Sequence, residues 1–241
     1  MIVAAVLFAC GFGYAAESWK LFAPDGSVAL EYRSFMPGDE PIAEVDTAAL
    51  RSRLAEGEAA VFYLKAQNRY IGLANERQYT DYSQYAAEVG RRAPLNEVGN
   101  GFVFQSGSLV HDLKWGIEDE KEWTDPKTVE GISYQTIPLG ETVGYYANYQ
   151  NDQGNKVSLS AWFNVPNGAI FTTEMNELDM EKVTIAAKEA FYLQGRDGAV
   201  QRVAWGEGSG NQYAYYRLDD LSAEKMPREH LMEIASRLIG E

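Results

Sequence analysis

The chain has 241 residues, 46% of them hydrophobic and 12% aromatic, so it can bury a core and is too apolar for a disordered segment. Against 21 basic groups stand 35 acidic ones, a formal charge of −14 at pH 7 with no local basic stripe to offset it. That balance argues against nucleic acid as a partner and disfavours docking on an anionic membrane surface.

The chain opens on the apolar run MIVAAVLFACGFGYAA, residues 1–16, which holds the only cysteine, Cys10. One thiol builds neither an intrachain disulfide nor a cysteine zinc site, and a thiol-free remainder suits an oxidising compartment. The run falls short of the roughly 20 residues of a comfortable membrane span. Three readings stay open. It is a secretory signal, with Gly13 and Ala15 before a cut ahead of Ala16; or LFAC is a lipobox, with Leu7 and Ala9 in place and a lipid on Cys10; or it is an uncleaved anchor. A buried N-terminal strand or helix of a cytosolic protein is the competing account. The run lacks the basic residues that normally start a signal or anchor, so the natural start is expected upstream of Met1.

Next, SWKLFAPDGSVALEYRSF predicts two strands around Pro24-Asp25-Gly26, where proline presets φ and glycine accepts a positive one. MPGDEPIAEVDT is loop. TAALRSRLAEGE predicts a short helix capped by Asp46 or Thr47, with Ala49, Leu50 and Leu54 along one side. AAVFYLKAQNRYIGLA predicts a strand pair turning at Gln67-Asn68. YTDYSQYAAEVG predicts a helix with Tyr82, Tyr85, Ala86 and Val89 on one face, closed by Gly90. RRAP marks a boundary near residue 93, dividing a small α+β domain over 17–92 from a β-rich domain over 93–241. GFVFQSGSLV predicts a hairpin, and WGIEDEKEWTDPKTVEG an acidic loop.

Residues 136–178 and 181–221 then run in parallel. Each reads as strand, aromatic strand (GYYANY, AFYLQ), Asp/Gly turn, a strand ending Ala-Trp, a Gly/Asn-rich tip, an aromatic strand and an acidic-Leu exit. Trp162 and Trp205 occupy equivalent places in this duplicated four-strand unit. EKVTIAAKEAF also fits a helix, but its β-branched residues and its counterpart favour strands. The glycine run GEGSG (206–210) aligns with FNVPNG, and NQYAYYR after it alternates like a strand. A phosphate cradle needs a helix opening directly after its glycines, so GEGSG is the tip of a hairpin. The chain closes on MPREHLMEIASRLIGE, a helix starting at Pro227 with Leu231, Ile234, Ala235 and Leu238 in one stripe, expected to pack on the sheet.

Groups fit for catalysis are few. His111 precedes Asp112, but neighbours on a strand point apart, and His230 flanks the apolar stripe of the last helix. Glu118, Asp119, Glu120, Glu122 and Asp125 lack the alternate spacing and central glycine of a calcium loop, so a solvated acidic loop is expected. No catalytic residue, cofactor or metal follows from these patterns. Tyrosine is abundant, with fifteen copies, and the pairs Tyr145-Tyr146 and Tyr215-Tyr216 place one ring on each side of a strand. With Trp115 and Trp123, Tyr145 and Tyr215 offer a binding face for peptide, glycan or protein; ordinary cross-strand packing is the competing account.

The segments WKLFAPDGSVALEYRS, LAEGEAAVFYLKAQN, YTDYSQYAAEV, APLNEVGNGFVFQSGSLV and VAWGEGSGNQYAYYRL…LMEIASRLI resemble those of bacterial envelope proteins with a C-terminal domain of unknown function. That family is related to the extracytoplasmic part of anti-sigma-factor-like membrane proteins. The resemblance implies an extracytoplasmic sensor or interaction domain and carries no catalytic residues.

The expected fold is therefore α+β, antiparallel β-meanders with a few packed helices. The expected function is a non-catalytic binding or sensor module of the bacterial envelope, secreted or held by the N-terminal segment, with a protein, peptide or glycan partner. The alternative is a carrier of lipid or another apolar ligand in a cleft between sheet and helix.

Overall fold

A computed structural model describes residues 18–23, 26–34, 46–65, 68–113, 126–129, 132–165, 169–173, 178–209 and 212–240. The first strands are β1 (Ser18–Phe22), β2 (Val28–Ser34), β3 (Ala59–Leu64), β4 (Arg69–Ala74) and β5 (Gln78–Tyr79). Then come β6 (Val103–Leu113), β7 (Lys127–Val129), β8 (Ile132–Ile137), β9 (Leu139–Gln150) and β10 (Lys156–Val165). The last are β11 (Ala169–Thr173), β12 (Leu178–Ile185), β13 (Lys188–Gly195), β14 (Gln201–Ser209) and β15 (Gln212–Asp220). Among the described residues three α-helices accompany them, α1 (Thr47–Arg51), α2 (Tyr82–Val89) and α3 (Arg228–Ile239). The structure is thus mostly antiparallel sheet with a few helices, as the sequence predicts. Among the described residues no helix is long and apolar enough to cross a membrane.

Local chemistry explains most element ends. Asp46 caps α1 by accepting from the Ala49 amide, and Asp81 caps α2 through Gln84. Gly90 ends α2 with φ 75°, a conformation that costs glycine nothing. Strands β14 and β15 pair as the expected hairpin, in register from Arg202↔Asp219 to Ser209↔Gln212, so Gly206 and Gly208 lie within a strand. EKVTIAAKEAF is two strands joined at Ala186 and Ala187, both at positive φ.

The main sheet has eight strands in the order β12-β13-β14-β15-β10-β9-β6-β5, and both of its faces are covered. On one face lie Tyr85 of α2 and Leu231, Ile234 and Ala235 of α3, packed on Tyr145, Tyr149, Val203, Trp205 and Leu218. Each fully buried Leu or Ile there contributes roughly 1.5–3 kcal/mol. On the other face Leu21, Leu30 and Tyr32 of β1 and β2 pack against Phe191, Leu193, Ala204 and Tyr215. Gly206 permits this crossing, since a Cβ on it would lie 3.3 Å from the Cβ of Ala29. A four-stranded sheet, β4-β3-β8-β7, is closed by α1 over Leu50, Leu54, Phe62 and Tyr134.

Four expectations are corrected. GFVFQSGSLV is not a hairpin but part of the single strand β6, paired with β9 along most of its length. Its glycine is there for room: a Cβ on Gly107 would meet the Tyr85 ring at 2.6 Å and the Tyr146 carbonyl oxygen at 2.8 Å. The boundary near residue 93 does not separate sheets, because β3 pairs with β8, β2 with β11 and β5 with β6. The acidic stretch ends in a strand, β7. Finally, the repeat holds for the hairpins β9–β10 and β13–β14, each turning at a glycine of positive φ, Gly154 and Gly198. It does not extend to the fourth strand: β11 leaves to run parallel to β2, and β15 alone fills the place between β14 and β10. Trp162 and Trp205 consequently face opposite sides of the sheet, Trp162 across from Tyr215 and Trp205 across from Tyr216.

Burial holds the core tyrosines as neutral phenols. Desolvation is the leading cause of the raised pKa of Tyr32, Tyr85, Tyr145, Tyr149, Tyr215 and Tyr216, and Tyr216 reaches about 12. An acid whose folded pKa is raised stabilises the fold below its unfolded pKa, about 10 for tyrosine, and loses that contribution as pH climbs through the folded value. The protein should therefore unfold cooperatively in alkali above about pH 10, with phenolate absorbance rising in step with the loss of near-ultraviolet dichroism. Smooth phenolate titration with the fold intact would contradict this burial.

Candidate functional site

At one end of the helix-covered face the sheet does not close. Strands β13 and β14 pair from Gln194↔Gln201 to Ala190↔Trp205, yet β14 continues to Ser209 and β13 starts two residues before Ala190. The ion pair Lys188 Nζ–Glu207 Oε1, at 2.6 Å, spans the unpaired gap. Behind it a cavity of about 410 Å³ is bounded by residues 91–95, Leu238 of α3, and Tyr145, Leu159, Trp205 and Tyr216 of the sheet.

Trp205 is the telling residue. It is 1% exposed and stacks on Tyr216 at 5.2 Å with planes 10° apart, and its indole Nε1 has no hydrogen-bond partner among the described residues. A buried unsatisfied donor costs about 1–3 kcal/mol, so a folded chain keeps one where something else uses it. Tyr145 and Tyr216 add phenols held neutral chiefly by burial, each pushed further up by Glu207. For Tyr145, the neighbouring phenols Tyr216, Tyr85 and Tyr149 outweigh Glu207. Both are hydrogen-bond donors and poor bases. Arg92 lies over the Phe163 ring at 4.4 Å, and neither it nor Arg91 has a carboxylate partner among the described residues. Three cations against one carboxylate line this cavity in a chain of charge −14.

The described residues also line two other hollows. One of about 520 Å³ lies on the opposite face, lined by Leu21, Phe22, Ala23, Ala29 and Gly206, and it shares Lys188 and Glu207 with the first. Its remaining lining is apolar except Glu189. The other is a polar cleft of about 500 Å³ beside His111. Among the described residues no group of three His, Cys, Asp or Glu is placed to hold a metal ion.

The structure corrects the expected binding face. Trp115, Trp123 and the acidic run Glu118 to Asp125 lie outside the described residues, as does Cys10 with its apolar run. Tyr145 and Tyr215 are both buried and form no outer face. Tyr145 faces the helices and lines the cavity at Trp205. Tyr215 is covered by β2, its hydroxyl 3.1 Å from that of Tyr32, because the β1–β2 layer occupies the side on which an outward ring was expected. The outer member of the first pair is Tyr146. His111 finds its carboxylate on Glu76 rather than Asp112, and His230 is exposed on α3. Trp205, Lys188, Glu207 and Arg92 carried no signal in the chain beyond the Ala-Trp repeat, since an unpaired indole is a property of packing.

Comparison with known proteins adds no relative: no family model, no curated protein and no solved structure matches this chain.

The Lys188–Glu207 pair is 43% and 33% exposed, so solvent screens most of its attraction. A double-mutant cycle with Lys188→Ala and Glu207→Ala in urea unfolding should give a coupling below about 1 kcal/mol, marking a pair free to open. Coupling above about 2 kcal/mol would make the pair a structural clamp closing the cavity.

Proposed function

We propose that this protein is a non-catalytic binding or sensor module working outside the cytoplasmic membrane, and that the cavity at Trp205 takes a small anion with an apolar body. The carrying observation is a cavity lined by Trp205, whose buried indole N–H has no partner among the described residues, and one that concentrates positive charge within an acidic chain. Unpaired donors with an apolar wall formed by Leu159 and Leu238 suit a carboxylate on a ring or short chain. Neutral phenols and a paired Lys–Glu supply orientation, not a base or an activated nucleophile, which favours binding over catalysis. The place outside the membrane is supported by a body without thiols, the single cysteine lying in the leading apolar run.

The alternative, a lipid carrier, draws on the apolar hollow under β1 and β2, which meets the first cavity at Lys188 and Glu207. Mass spectrometry of an organic extract of the purified protein separates the two, since a carrier co-purifies with lipid.

Thermal unfolding with phenylacetate, indole-3-acetate and the neutral 2-phenylethanol tests the main reading. The carboxylates should raise Tm and the alcohol should not; saturation at a hundred times Kd adds about 2.7 kcal/mol. Arg92→Ala should weaken carboxylate binding roughly tenfold, and added salt should do the same in part. Equal stabilisation by the alcohol, or indifference to Arg92→Ala, would refute an anion site.

A further inference from the structure

The polar cleft beside His111 lies on the opposite face of the eight-stranded sheet from Trp205, where β4 of the smaller sheet meets β6, β9 and β10. Glu76, just past β4, accepts the backbone N–H of His111 at 3.3 Å and bonds its ring Nδ1 at 2.9 Å. An ionised carboxylate only accepts, so Nδ1 carries the proton in this bond and Nε2 is left for another group. Nε2 has no partner among the described residues. One bond to Glu76 orients the ring and a second holds the backbone beside it, for a contact at Nε2 that no described residue makes.

The neighbouring groups are of the same kind. Ser108 is 7% exposed, and its hydroxyl bonds no described residue. The hydroxyls of Tyr146 and Ser158 and the amide of Gln78 are also unclaimed among the described residues, while Asn148 donates to Ser106 Oγ at 3.2 Å. Tyr146 is the exposed large aromatic of the cleft, steadied at its edge by Trp162 with ring centroids 5.8 Å apart. The lining carries one cation, Arg51, and one carboxylate, Glu76, already engaged with His111, so it has little net charge.

We propose that this cleft binds a neutral saccharide. Hydroxyls and amides that both donate and accept complement sugar hydroxyls, which do the same. An exposed phenol ring gives the C–H face of a pyranose an apolar platform. An anion would meet Glu76, a cation would meet Arg51, and an apolar ligand would strand the hydroxyl of Ser108. The inference stands apart from the anion cavity, because a different face and different side chains carry it.

The test is amide and indole NMR of the full chain titrated with maltotriose, cellotriose and triacetylchitotriose up to about 10 mM. At least one sugar should shift the side-chain amides of Gln78 and Asn148. Tyr146→Ala should weaken that sugar about tenfold, Tyr146→Phe should keep affinity within about threefold, and Ser108→Ala should cost roughly three- to tenfold. Tyr146 is on the surface, so unchanged amide spectra away from the cleft certify that its variants fold. No shift with any of the three sugars overturns the proposal. So does binding that survives Tyr146→Ala, or shifts confined to residues outside the cleft.

Discussion

Everything in this protein hangs on the joint between β15 and its two neighbours. Adjacent tyrosines on β15 point to opposite faces, and each meets a tryptophan across the strand: Tyr215 stacks on Trp162 at 5.4 Å, and Tyr216 on Trp205 at 5.2 Å. Such cross-strand aromatic pairs stabilise beyond their buried area by about 0.5–1.5 kcal/mol each. Here they also set register, since a slip of one residue either way would turn the side chains of β15 to the opposite faces and leave one of the two tryptophans without a tyrosine. The joint welds the meander β12–β15 to the block β10-β9-β6-β5, so one sheet of eight strands forms where the sequence repeat suggests two units.

Two functional consequences follow from the same joint. Trp205 is stacked flat against Tyr216, its buried indole N–H finds no partner among the described residues, and its ring lines the cavity beside the sheet gap beyond Ala190. Trp162 on the other face props the edge of Tyr146 and keeps that ring standing over the polar cleft. The two hollows argued for different ligands are thus braced by the two sides of one strand.

Much of the architecture was legible in the chain because its signals are local. Asp81 and Gly90 frame α2, Leu231, Ile234 and Ala235 make a helical stripe, and alternation after the glycines at 206–210 announces β15. What escaped depends on contacts distant in sequence. Gly107 looks like a turn residue until the Tyr85 ring is seen against it. Tyr145 and Tyr215 look like outer rings until both faces of the sheet turn out to be covered, one by helices and one by β1 and β2. The partner of His111 is Glu76, across two sheets, whereas the neighbour Asp112 points away as strand geometry requires. The unpaired Trp205 donor is visible only once every neighbour is placed.

The most direct measurement is the indole N–H resonance of Trp205 in the folded chain, followed by NMR as indole-3-acetate or phenylacetate is added. An unpartnered donor that receives a carboxylate should move downfield, while the indoles of Trp19 and Trp162 stay where they were. A Trp205 resonance that is unmoved at saturating ligand would contradict the account of this cavity.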